Sequence, residues 1–305
     1  MSVVVPEVAP GVACLPTAVV NSYFVGEPGR PWVLVDTGMP GFTNRFKAAA
    51  ALRYGKDARP EAIILTHGHF DHVGCLRALA EDWDVPICAH PLERPYLTGQ
   101  SKYPPFDPTV GGFFPFLSRF FPENGIDVSD RLVDLPTDGT VPGVDGWTWH
   151  FTPGHAPGHV SLFRESDRTL IAGDAFITVN MDSFRDTAAQ KQEMVRPPSY
   201  ATCDWTLARQ SVETLAGLNP AVAATGHGVP MTGPDIAGLL RGFAAHFSAP
   251  RHGRYIPVPA QTDNHGIVSV PPPVPDPAGI ALTVGAVAVG AGILARRGRD
   301  DERKQ

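Results

Sequence analysis

The stretch "LTHGHFDHVG", Leu65 to Gly74, decides how this chain is read. His67, His69, Asp71 and His72 fall within six positions, separated only by Gly68 and Phe70, directly behind the apolar run "AIIL" at 62–65. The apolar run predicts a buried strand, and "HVGCLRALAEDW" after it predicts a helix. The cluster therefore lies at the C-terminal end of a strand, where α/β arrangements collect their chemistry. Residues two apart in an extended loop face the same way, so His67 and His69 can grip one ion, while Asp71 and His72 are placed to face a second. Neutral imidazole and ionised carboxylate suit zinc, manganese or iron, and the lack of a nearby C-x-x-C pair points away from a Cys-rich structural zinc site. An aspartate at a helix start is often only a cap, and a lone histidine means little. Three histidines and an aspartate at this spacing outweigh that plainer reading.

Further groups of the same kind follow in order. In "FTPGHAPGHVSLF" (151–163), His155 and His159 are four apart, but Pro153, Gly154, Pro157 and Gly158 rule out a regular helix. The segment is expected to turn sharply and offer His155 as a ligand, with His159 holding the turn. In "LIAGDAF" (170–176), Asp174 ends a wholly apolar strand, where an unpaired carboxylate is expensive and a carboxylate bridging two cations is not. In "AATGHGVP" (223–230), His227 sits between two glycines at another strand end. Either of the last two, read alone, is an ordinary turn residue. Read with the first cluster, they complete two coordination shells.

The rest of the sequence supplies a scaffold. "GVACL", "AVVNSYFVG" and "PWVLVDTG" predict an antiparallel meander. "FTNRFKAAAALRYG" predicts a helix with spaced Phe42, Phe46 and Leu52 and with Gly55 as its stop. "WTWHFT", "HVSLFRE" and "RTLIAGD" predict three more strands, "CDWTLARQSVETLAGL" an amphipathic helix, "PAVAATGHG" a strand, and "DIAGLLRGFAAHF" a last helix. Two sheets packed face to face with helices outside account for this order. A net charge of −6 argues against nucleic acid as a partner. Cys14, Cys75, Cys88 and Cys203 are widely spaced, as reduced and buried thiols would be, and the N-terminus lacks the pattern of a secretory signal. A cytoplasmic location is the expectation.

"VLVDTG", "THGHFDHVG", "TPGHAPGHVSL", "GDAF" and "ATGHG" together resemble the ordered motifs of the metallo-β-lactamase-fold hydrolase superfamily over about residues 10–248. The resemblance implies an α+β fold, a four-layered αβ/βα sandwich with a dinuclear site at the sheet edge. It implies His67, His69 and His155 as ligands of one metal, Asp71, His72 and His227 as ligands of the other, and Asp174 as the bridging carboxylate. Asp36 of "VDTG" resembles the buried aspartate that supports the site without ligating. Asp174 argues against a dedicated β-lactamase, and His69 stands where diiron flavoproteins of the fold carry Glu. The glyoxalase II and lactonase-like branch remains, with thioesters or cyclic esters as small-molecule substrates and two Zn2+ per chain, Fe or Mn being the other candidate ions. The expected chemistry is attack on a carbonyl or phosphoryl centre by a hydroxide shared between the cations, with Asp71 accepting the proton. A persulfide dioxygenase using a single iron and a non-catalytic metal-binding sensor stand as alternatives.

The domain is expected to span 1–262, followed by a Pro-rich linker at 263–277, including "PPPVPDP", and by an apolar segment with a basic tail at 278–305. The run 278–295 reaches the length of a bilayer crossing, yet its four glycines and six alanines make a weak span. A membrane anchor and a loosely packed appendage both remain open. The phenylalanine-rich segment 100–125 is expected to form a lid or flap.

Overall fold

The computed structural model describes residues 4–279. Its first sheet runs in chain order through Glu7–Ala9 (β1), Val12–Thr17 (β2), Val20–Val25 (β3), Val33–Val35 (β4), Ile63–Ile64 (β5), Ile87–Ala89 (β6) and Leu132–Asp134 (β7). β1 to β4 pair antiparallel as a meander, and β4 to β7 pair in parallel. The second sheet contains Trp147–Phe151 (β8), Val160–Arg164 (β9), Thr169–Gly173 (β10), Val222–Thr225 (β11) and Met231–Thr232 (β12). Only β10 and β11 are parallel there.

The sheets meet face to face through Val12, Cys14, Tyr23, Val35 and Ile64 on one side and Val160, Leu162, Ile171 and Ala224 on the other. Helices cover both outer faces. Thr43–Tyr54 (α1) buries Phe46, Ala49 and Ala50, and Leu76–Trp83 (α2) buries Leu76, Leu79, Ala80 and Trp83, all against the first sheet. Trp205–Gly217 (α3) turns Trp205, Ala208, Val212 and Leu215 onto the second sheet, beside Ile236 and Leu240 of Ile236–Ala245 (α4). That spacing is the apolar stripe of a surface helix. The Asp204 carboxylate caps α3 by accepting from the Thr206 and Leu207 amides at 2.9 Å each. The result is the αβ/βα sandwich.

Several local outcomes differ from the sequence reading. Leu52 of α1 lies exposed, and the small Ala49 and Ala50 face the sheet instead. α2 begins at Leu76, four residues after His72, because the His72 carbonyl accepts from the Thr37 amide at 2.7 Å and its hydroxyl at 2.9 Å. The Asp71 and His72 side chains join the cluster at the sheet edge. Gln261–Asp263 (β13) and Gly266–Ser269 (β14) form a hairpin whose Ile267 amide donates to Ser101, and the compact unit that holds both sheets ends at Pro271. A second unit begins at Pro272. No helix among the described residues is long and apolar enough to cross a membrane, and the apolar run 278–295 lies from Ile280 onward outside the described residues.

Candidate metal centre

The site forms where strands of both sheets end. β4 delivers Asp36, β5 the 67–72 loop, β10 Asp174 and β11 His227, while the connection from β8 to β9 carries His155 and His159. Bonds between the sheets fix this edge. The Asn21 amide donates to the Gly226 carbonyl at 2.7 Å, the Tyr23 hydroxyl to the Thr225 carbonyl at 2.6 Å, and the Val160 amide to the Thr66 carbonyl at 2.9 Å.

The structure brings together all seven residues read as ligands. Their ligand atoms form three overlapping sets, each within 4.8 Å: His67, His69 and His155; His67, His72 and Asp174; and Asp71, His72 and His227. Asp174 Oδ2 is the hub, 3.1 Å from His227 Nε2, 3.4 Å from His155 Nε2 and 3.6 Å from His72 Nε2. Asp71 Oδ2 lies 3.5 Å from His227 Nε2. All seven are buried.

Neighbouring groups set which nitrogen of each ring faces inward. His72 Nδ1 lies 2.8 Å from Asp36 Oδ2, and His227 Nδ1 2.7 Å from the Val19 carbonyl. Both partners only accept, so each Nδ1 carries a proton and Nε2 is the atom that faces the cluster. The Thr66 hydroxyl donates to Asp36 at 2.7 Å and lies 3.1 Å from His67 Nδ1, which orients His67 the same way. Thr202 is placed likewise at 3.3 Å from His155 Nδ1. His159 is different: its Nδ1 meets Thr152 at 2.9 Å and its Nε2 accepts the Asp174 amide at 2.9 Å. Both nitrogens are used, so His159 anchors the backbone of Asp174 and holds the turn.

This arrangement leaves acceptors without donors. Among the described residues, His67 Nε2, His72 Nε2, His227 Nε2 and Asp174 Oδ1 are enclosed and have no hydrogen-bond partner of good geometry, which is costly unless a cation meets them. His69 Nδ1 and His155 Nε2 face each other at 3.0 Å. Burial, then neighbouring imidazoles, holds His67 well below the usual imidazole value. Burial drives His69 down to about 3 and also lowers His155, with Asp174 opposing in both cases. For His72 and His227, burial opposes charge but the nearby carboxylates, Asp174 foremost, outweigh it and raise both. A methyl group on Gly226 would stand 2.0 Å from Asp174 Oδ1, so only glycine leaves that space clear. The donor set, imidazoles joined by the Asp71 and Asp174 carboxylates around orphaned lone pairs, fits divalent cations of the zinc, iron and manganese type.

A narrow crevice reaches His69, Asp71, His155 and Asp174 and is walled by Phe70, Phe106 and Tyr200. Phe106 and Tyr200 pack edge to face at 5.6 Å, with Phe121 against both, so part of segment 100–125 lies over the site. Phe116 and Phe120 of the same segment stay exposed. Sequence reasoning did not find Tyr200, Thr202 or Glu93, the last a buried carboxylate bonded to the 67–72 loop. Each lies in a stretch without a motif.

A four-layered sandwich with a histidine and aspartate cluster at its joined strand ends defines the architecture of a metallo-hydrolase. The family model of the metallo-beta-lactamase superfamily matches residues 15–227. The chain belongs to that superfamily. It is 45% identical over 246 residues to the probable metallo-hydrolase YflN of Bacillus subtilis, covering 80% of this chain and 93% of that protein. The probable metallo-hydrolase YybB of the same organism is 34% identical over 163 residues, covering 53% of this chain and 64% of that one. Among solved structures, the metallo-beta-lactamase family protein TTHA1429 from Thermus thermophilus superposes with a TM-score of 0.53 at 22% identity, covering 79% of this chain and 80% of that chain. ST1585 from Sulfolobus tokodaii superposes with a TM-score of 0.51 at 18% identity, covering 77% and 85%.

Proposed function

We propose that this chain is a hydrolase using two divalent metal ions, most simply zinc, to cleave an ester-like bond in a small molecule, with thioesters and lactones as the substrate class. The observation that carries this is the Asp174 carboxylate, which lies within 3.6 Å of histidines from both ligand sets. One carboxylate shared by two sets of imidazoles is what a bridged pair of cations requires. His67, His69 and His155 would hold one ion and Asp71, His72 and His227 the other. Bound there, the ions supply positive charge for a developing oxyanion and acidify water toward neutral pH. Asp71, whose carboxylate borders the crevice, takes up the proton released by the attacking water. Phe70, Phe106 and Tyr200 exclude bulk water and orient an apolar acyl group toward the carboxylates. His159 keeps Asp174 in place through its backbone amide.

The test combines elemental analysis with a panel of thioesters, lactones and phosphodiesters. Two metal ions per chain and turnover of a thioester or lactone, abolished in His67→Ala and Asp71→Ala with the fold retained, are expected. One iron per chain with oxygen consumption on a persulfide would overturn the hydrolase reading in favour of oxygenation. Two bound ions with no turnover across the panel would point to a metal sensor.

A further inference from the structure

The first set of imidazoles comes from two loops far apart in the chain, and a single carboxylate ties those loops together. Glu93 ends the short helical turn Pro91–Glu93 after β6 and is fully enclosed. Its Oε1 accepts the Gly158 amide at 2.7 Å, and its Oε2 accepts the Gly68 amide at 2.9 Å. Gly68 lies between His67 and His69, and Gly158 lies between His155 and His159. The Tyr103 hydroxyl also donates to Oε2, and the Gly68 amide is shared with the Tyr103 oxygen at 2.9 Å. Tyr103 in turn meets the His69 ring edge to face at 4.6 Å and stacks on Tyr96 at 4.1 Å. The fit is close: a methyl group on Gly158 would stand 2.8 Å from Glu93 Cγ.

Burying a carboxylate is costly, and burial raises the Glu93 pKa while the phenol and the two amides lower it. Packing alone would be served by an apolar side chain. A carboxylate offers something an apolar group lacks: two equivalent acceptor oxygens at a fixed separation, one for each loop. The other ligands are oriented from elsewhere, His72 by Asp36 and His227 by the Val19 carbonyl.

We propose that Glu93, braced by Tyr103, is a clamp that sets the spacing between the His67–His69 loop and the His155 turn, and so positions the ligands of one metal ion and not the other. This rests on the reading of the cluster as a two-ion centre. Glu93 is a positioning residue, since it does not line the crevice. Glu93→Gln keeps the volume but leaves one acceptor oxygen. With its NH2 group toward Gly158 that amide loses its acceptor; with it toward Gly68 that amide keeps only the Tyr103 oxygen, so either way one of the two loops is held less firmly.

The experiment is calorimetric titration of the metal-free full chain with Zn2+, repeated with Co2+ to record the visible spectrum of each binding step. The wild type is expected to bind in two steps. Glu93→Gln should weaken one step by about 10–100-fold, the usual effect of losing an outer partner of a ligand. The Co2+ spectrum of that step should change, while the other step keeps its affinity and its spectrum. If Glu93→Gln fails to fold, Tyr103→Phe, which keeps both amide bonds to Glu93, should weaken the same step by a smaller factor. Wild-type affinity and spectra in the variant that folds would overturn the clamp, and so would equal weakening of both steps. A wild-type chain that takes up no metal would overturn the metal centre itself, a separate result.

Discussion

Replacing Asp36 by Asn tests the logic of the site from outside its ligand set. Asp36 is buried and accepts three hydrogen bonds, from the Thr66 amide at 2.8 Å, the Thr66 hydroxyl at 2.7 Å and His72 Nδ1 at 2.8 Å. Its φ is 59°, a left-handed conformation that Asn tolerates, so the substitution adds little backbone strain. What changes is the number of acceptors. With the Asn oxygen kept on the Thr66 amide, its NH2 group faces the Thr66 hydroxyl and His72. The hydroxyl can turn to accept. His72 can accept only by moving its proton from Nδ1 to Nε2, the atom that faces Asp174 at 3.6 Å.

Two consequences separate. Stability falls by the cost of one poorly met buried group, about 1–3 kcal/mol, or roughly 2–12 °C in Tm at the 2–4 °C per kcal/mol of a domain near this size. Metal affinity falls independently, because a protonated Nε2 cannot ligate, by about 10–100-fold at the ion held by Asp71, His72 and His227. Differential scanning calorimetry of the metal-free chain measures the first effect, and Zn2+ titration the second. Asp36→Ala, which leaves all three donors unpaired and adds left-handed strain of about 1–2 kcal/mol, should lie further down both scales. An Asp36→Asn variant with wild-type Tm and two full-strength metal sites would refute the assignment of Asp36 as the group that fixes the His72 proton.

Three further outcomes follow from the same geometry. Gly226→Ala, with its methyl group 2.0 Å from Asp174 Oδ1 and 3.0 Å from His72 Cε1, should keep its circular dichroism but lose metal affinity by about tenfold or more, measured by competition with a chelating dye. Burial pushes the Cys14 and Cys203 thiols up to about 12 and Cys88 up to about 11, so at pH 8 these three remain protonated in the folded chain and should resist a thiol-directed disulfide reagent until denaturant is added. Prompt reaction at any of the three would contradict the packing. A chain ending at Pro271 should retain the Tm and Zn2+ uptake of the full chain, since the compact unit closes there; a marked loss of either would show that the second unit is needed.

Much of the site could be read from the sequence because its ligands are local events at strand ends. An apolar run such as "AIIL" or "LIAG" makes a buried strand whatever follows, and a histidine or aspartate set just behind it must emerge at the sheet edge. The spacing of His67, His69, Asp71 and His72 carries its own geometry. The three-residue strands β6 and β7 escaped detection because, unlike the similarly short β4 and β5, they are followed by no motif that marks a strand end. The hairpin Gln261–Ser269 escaped too, as its strands are polar and draw their support from Ser101, far away in the chain.

The sequence by itself determined which atoms could bind a cation and at which strand ends they would stand, for these follow from residue type and hydrophobic pattern within a few positions. Only the tertiary structure decided that seven such groups meet around one carboxylate, that Asp36, Thr66 and the Val19 carbonyl turn the rings inward, and that Glu93 joins two loops. Glu93 in "HPLERPY" reads as a surface residue at a helix start, and nothing within ten positions of it suggests burial. The reason is physical: a ligand's identity is local chemistry, but its orientation depends on hydrogen bonds between segments that become neighbours only when the two sheets close on their shared apolar core.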